Sequence, residues 1–307
     1  MQSINNGILE TQGISGTQAY SKKHFKKLNQ TCRQAIYSCM ICFILVTVVP
    51  CIWLDPVLKL IGVEGTQLEI VKDLIIYSFP AMAFRVVNDN IKVFIQNQDK
   101  LKEVGINNFS VFVFWLPGSF FIVKYVDDKA LGYGLALLAY EVFCLAANMY
   151  IIIRKCDPRC RNNSLSAFKG MGRFFWYSIK VSMSSWLLYI FLDVMTVMLQ
   201  KVGDEAQVAA YSIFYNITMV IFSLISGFYV YARNVMNYFL GKGRTMEAKN
   251  IFKRFYWIYL GFNTILIVVI SGGLFGICIT GSIEDKDLNY WLKVSSPFVF
   301  GIGLSIL

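Results

Sequence analysis

Residues 35–54, AIYSCMICFILVTVVPCIWL, carry no charged side chain, and what surrounds a run of this kind decides the fold class. A helix of roughly 20 apolar residues crosses about 30 Å of hydrocarbon. One such run fits the buried helix of an aqueous protein. Here the pattern recurs, as in NNFSVFVFWLPGSFFIVKY (107–125) and FYWIYLGFNTILIVVISGGLFGICIT (255–280). Of the 307 residues, 56% are hydrophobic and only 16% are charged, against roughly 25% charged in soluble domains. The chain therefore reads as an all-α polytopic membrane protein with about eight to nine spans. Helices are expected at about 33–55, 72–98, 104–126, 131–153, 174–200, 206–232, 251–281 and 290–307. Residues 1–21 are helix-compatible but too polar to be placed as an isolated span.

The charge of the connections sets an expected topology. Residues 22–33 hold five Lys/Arg and no acid, residues 154–173 six against Asp157, and residues 233–254 six against Glu247. The connections between them are balanced or acidic. Basic segments on alternate sides are what the positive-inside rule requires, so 22–33, 99–103, 154–173 and 233–254 are placed in the cytoplasm. The net charge of +10 is then a topology and membrane-surface signal. Nucleic-acid binding would need basic residues on one folded face with aromatic platforms between them, and no nucleic-acid partner is expected.

The eight cysteines are scattered, several of them within apolar segments (Cys39, Cys42, Cys144, Cys278), and read as small core residues. Cys156 and Cys160 have a CxxxC spacing but no second pair, so no metal site is expected. His24, the single histidine, lies in a basic segment. Hydrolytic chemistry needs an oriented base and convergent donors, and the chain is not read as an enzyme.

Polar residues inside the spans carry the functional reading. Asp193 interrupts WLLYIFLDVMTVML (186–199), and an intramembrane carboxylate can hold a proton, a Na⁺ or an organic cation. In FRVVNDNIKVFIQNQ (84–98), Asp89 is spaced for pairing with Arg85 and Lys92, and Gln96 lies near the helix end. Glu141 and Asn148 share a span and are open to either ion handling or helix–helix pairing. Asn216, with Tyr211 and Tyr215, suits an aromatic wall for flat cations, and packing is the competing reading. GTQAYSKKHFKKL (16–28) and LGKGRTMEAKNIF (240–252) echo one another, each leading from a helix end through a basic connection into an apolar helix. Two similar bundles joined by residues 154–173 are a recurrent transporter plan. Gly241 and Gly243 read as a helix stop.

These motifs resemble those of the multidrug and toxic compound extrusion (MATE) family of eukaryotic type. The family's early cytoplasmic motif is matched by Gln18, Ala19 and Tyr20. Its fourth helix is matched by Tyr77 and Pro80, and by KVFIQNQ through Lys92, Phe94, Gln96 and Gln98. AAYSIFYNI matches through Ala209, Ala210, Ser212, Ile213 and Asn216, and LGKGRTMEAK through Leu240, Gly241, Gly243 and Ala248. Asp193 falls where the family carries a glutamate. The resemblance implies a twelve-helix plan of two six-helix bundles. On that plan this chain is an apparent fragment lacking the first helix and the last two. Residues 1–153 form the first bundle (helices 2–6), 154–173 a cytoplasmic linker, and 174–307 the second bundle (helices 7–10).

The implied function is secondary antiport, exporting organic cations, xenobiotics or metabolites against H⁺ or Na⁺, with no cofactor beyond the coupling ion. The expected setting is a monomer in the plasma membrane or a vacuolar or other endomembrane. Two other readings stand beside it: a non-transporting scaffold or truncated product, and a lipid-linked precursor flippase of related fold. The acid at position 193 speaks against a flippase, whose pyrophosphate substrates would favour a cationic cavity.

Overall fold

The computed structural model describes residues 2–61, 65–161, 165–183, 194, 198, 204–279 and 290. Among them no strand occurs. The helices are α1 (Gln2–Ser21), α2 (Phe25–Phe43), α3 (Leu54–Ile61), α4 (Thr66–Gln96), α5 (Leu101–Tyr125) and α6 (Lys129–Arg154). They are followed by α7, described over residues 171–183, then by α8 (Glu205–Gly241) and α9 (Thr245–Ile279). The chain divides into two compact units: Met1–Tyr189 with Leu240–Gly243, and Ile190–Phe239 with Arg244–Leu307. In the first unit α4 is central, packing on α1, α2 and α6, while α5 packs chiefly on α6.

The distribution of side chains in the first unit inverts that of an aqueous protein. Gln12, Asn88, Asn90, Asn97 and Asn148 are fully buried, whereas on α5 Phe109, Phe114 and Phe120 are 69%, 78% and 64% exposed. Exposed aromatic surface of this extent is stable against lipid and unfavourable against water. Three described helices are long and apolar enough to cross a membrane by themselves: Phe25–Val48, Leu101–Tyr125 and Lys129–Arg154.

Several element bounds differ from the sequence-based expectation, each for a physical reason. Helix α1 is a full 20-residue helix despite its polarity, because its polar groups turn inward onto α4. Gln12 Nε2 donates to the Asn90 carbonyl (2.8 Å), Asn97 Nδ2 donates to the Gln12 carbonyl (3.1 Å), and Thr17 Oγ1 donates to Asn97 Oδ1 (3.0 Å). The basic segment 22–33 is mostly helical rather than a loop. Lys26 and Lys27 lie exposed while Leu28, Gln30, Thr31 and Cys32 are buried, so the two lysines occupy the outer face of α2. Likewise the described helices α8 and α9 leave only a short turn inside 233–254. The regular helix expected over 33–55 instead passes from α2 into a π turn (Ile44–Val48) and a 3₁₀ turn (Val49–Trp53). Pro50 has no N–H to continue an α-helical ladder.

The internal echo has a structural counterpart. After α1, Lys23 N–H donates to the Tyr20 carbonyl (2.9 Å) and His24 N–H to the Ala19 carbonyl (2.8 Å). After α8, Gly243 N–H donates to the Leu240 carbonyl (3.0 Å) and Arg244 N–H to the Phe239 carbonyl (3.0 Å). Both are Schellman ends, with the left-handed position taken by Lys23 (φ 60°) in one and Gly243 (φ 75°) in the other.

Candidate functional site

Helix α6 starts on a capped end, where the Asp128 carboxylate accepts from the Ala130 and Leu131 amides. From there it carries Glu141, Cys144 and Asn148 along one face, three and four residues apart, and all three are buried. That face meets α4, and the crossing is close. A Cβ at Gly134 would lie 2.6 Å from the Tyr77 carbonyl oxygen. Pro80, exposed within α4, removes the amide that would bond to the Ile76 carbonyl four residues earlier.

At this crossing three amides form a chain that ends on the carboxylate. Asn107 Nδ2 on α5 donates to Asn148 Oδ1 (2.9 Å), Asn148 Nδ2 donates to Asn88 Oδ1 (2.6 Å), and Asn88 Nδ2 donates to Glu141 Oε2 (2.9 Å). Every donor points the same way, towards Glu141. An acidic side chain near the middle of a membrane helix costs roughly 3 kcal/mol, and interhelical hydrogen bonds in such bundles average about 0.6 kcal/mol each. One of the three bonds reaches Glu141 itself, and the other two hold the amides behind it. The arrangement suits a group that takes up a proton or balances a cation. Asn88 and Asn107 were not among the residues expected from sequence. Asn88 adjoins Asp89 in a conspicuous polar stretch, but only the α4–α6 crossing shows that it meets Glu141.

The other expected residues fall in separate places. Asp89, half-buried, is 3.4 Å from Lys92 Nζ and 3.9 Å from Arg85 Nε. Gln96 is the half-buried last residue of α4. Tyr20 packs edge-on against Phe25, with ring centroids 6.0 Å apart. The Gln18 carbonyl accepts from Ser21 Oγ at 2.9 Å. Gly241, which belongs to the first unit, sits against Gln18 and Ser21 with no room for a Cβ. In the second unit Tyr211 and Tyr215 are half-buried with centroids 6.4 Å apart, and Asn216 is exposed. Asp193 lies outside the described residues. No group of three or more His, Cys, Asp or Glu side chains fit to hold a metal occurs among the described residues.

The profile of the MatE family matches residues 12–121 and 181–279. No curated protein matches the sequence. Among solved structures, the eukaryotic MATE transporter AtDTX14 superposes with a TM-score of 0.83 at 14% identity, covering 97% of this chain and 66% of its own. The chain thus spans just under two thirds of that relative's length. An outward-facing multidrug resistance MATE family transporter of the MOP superfamily gives 0.67 at 13% identity, over 97% of this chain and 68% of its own. Its inward-facing counterpart gives 0.68 at 13%, over 96% and 70%.

Proposed function

The chain belongs to the MatE family, and from that premise we propose that it is a secondary antiporter exchanging small organic cations for H⁺ or Na⁺. The family and fold make it an integral, multi-pass membrane protein. The observation that carries the proposal is the amide chain ending on Glu141 at the α4–α6 crossing. In the ionised state Glu141 accepts from Asn88, and the amides of Asn148 and Asn107 orient behind it. A proton on Glu141 turns an acceptor into a donor, and reversal of the amides would carry that change along three helices. A Na⁺ beside the carboxylate would instead recruit the amide oxygens as ligands. Either event changes how α4, α5 and α6 are held, which is the kind of differential contact that lets an ion bias a conformational equilibrium.

Asp193 is proposed as the acidic group for the organic cation, with Tyr211 and Tyr215 offering ring faces and Asn216 a polar contact. The basic segments are proposed to face the cytoplasm, with the 154–173 segment joining two bundles of a monomer. The test is transport by proteoliposomes loaded with a fluorescent organic cation under an imposed pH or Na⁺ gradient. Gradient-driven flux that is lost in Asp193→Asn supports the assignment. Flux no greater than that of protein-free liposomes under either gradient would favour a non-transporting role for this chain.

A further inference from the structure

The segment between α6 and α7 is fastened along α2. A short 3₁₀ turn, Pro158–Arg161, opens it. Successive α2 side chains then hold its backbone: Asn29 Nδ2 donates to the Cys160 carbonyl (2.9 Å), and Gln30 Nε2 to the Ser166 (2.8 Å) and Lys169 (3.0 Å) carbonyls. Gln34 Nε2 also donates to the Lys169 carbonyl (2.9 Å), and Arg33 donates to that of Leu165. The Arg159 guanidinium lies 4.3 Å from the Phe25 ring centroid, and Phe168 stacks on Tyr37 (5.5 Å, 8°). These contacts run from Phe25 to Tyr37, roughly 18 Å of helix at 1.5 Å per residue. The strap therefore descends along a membrane-crossing helix instead of looping freely.

Its outer surface is amphipathic. Phe168 is 69% and Leu165 36% exposed, and Arg161, Lys169 and Arg173 are exposed beside them. The only acid of the strap, Asp157, is engaged by Arg159 at 2.6 Å, whose hydrogen bonds hold its carboxyl below the usual carboxylate range. Exposed aromatic and aliphatic side chains flanked by exposed cations match the boundary between acyl chains and anionic headgroups.

We propose that this strap is a docking surface for anionic phospholipid, with Phe168 and Leu165 at the acyl boundary and Arg161, Lys169 and Arg173 on the phosphate-bearing headgroups. Charge complementarity selects this occupant, because a zwitterionic leaflet would leave the cations without a net counter-charge. Anionic lipid would then steady the segment that leads into α7.

Native mass spectrometry of the full chain in detergent, with equal phosphatidylserine and phosphatidylcholine added, tests this. The wild type should retain phosphatidylserine in preference. The R161Q/K169Q/R173Q variant should lose that preference by about fivefold per neutralised charge, while R161K/K169R/R173K keeps it. Phe168→Ala should weaken retention of both lipids. Unchanged thermal midpoints report that the exposed substitutions leave the fold intact. Equal phosphatidylserine retention by the wild type and the triple Gln variant would overturn the proposal. So would inorganic phosphate displacing the lipid at equal phosphate concentration, which would make the ligand a free anion.

Discussion

At the scale of single residues, the chemistry centres on Glu141 and the amide that contacts it. Removing Asn88 leaves Glu141 Oε2 and Asn148 Nδ2 each without the partner they have now. Asn88→Ala is therefore expected to destabilise the protein by about 1–3 kcal/mol, read as a lowered thermal midpoint in detergent. An unchanged midpoint would show that the chain is not a connected network. The cysteines of the 154–173 segment give a second residue-scale prediction. Burial pushes the Cys156 thiol to about 11 and the Cys160 thiol to about 12. Their thiolate fraction at pH 8 is then about one in a thousand or less. Both should alkylate far more slowly in the folded protein than after denaturation, and labelling at the denatured rate would contradict the buried placement. The pairing of Glu141 with Asn148 on one face was legible from their spacing, two helical turns apart. Asn88 and Asn107 were not, because their roles depend on which helix faces crossed.

At the scale of elements, the sequence marked α5, α6 and the run within α2 by hydropathy, and it failed where polarity served packing. Helix α1 read as too polar for a span because Gln12 and Thr17 turn onto Asn90 and Asn97, while the buried Thr11 hydroxyl donates to the Gly7 carbonyl within α1. Helix ends were misjudged where exposed lysines ride on helices that continue beneath them. Two predictions belong here. Gly134→Ala pushes a Cβ into the Tyr77 carbonyl, so it should cost roughly 1–3 kcal/mol by overpacking and lower the thermal midpoint. Lys23→Gly should act in the opposite direction. Lys23 holds the left-handed position that Gly243 fills in the matching turn. Relief of about 1 kcal/mol of side-chain strain exceeds the added chain entropy of glycine in the unfolded state, so a small rise in midpoint is expected. A fall would mean that Lys23 makes a contact worth more than its strain.

At the scale of the whole molecule, two compact units each carry part of the expected chemistry. The first buries a carboxylate within an amide chain among three helices. The second presents Tyr211, Tyr215 and Asn216 along α8. The MatE match spans segments of both units, and the outward face of the first is apolar enough to demand lipid. The resemblance of the motifs to a transporter family was readable from residues such as Gln18, Gln96 and Gly241. Glu141 was already a candidate for ion handling in the sequence, but its amide partners Asn88 and Asn107 needed the fold. The most direct test of ion coupling through Glu141 is gradient-driven flux of a fluorescent organic cation in proteoliposomes, compared between wild type and Glu141→Gln. Glutamine preserves the acceptor for Asn88 but cannot exchange a proton or offer a full charge to Na⁺. Flux in the variant should fall to the level measured without a gradient while its thermal midpoint is maintained. Equal gradient-driven flux in the two proteins would contradict the role assigned to Glu141.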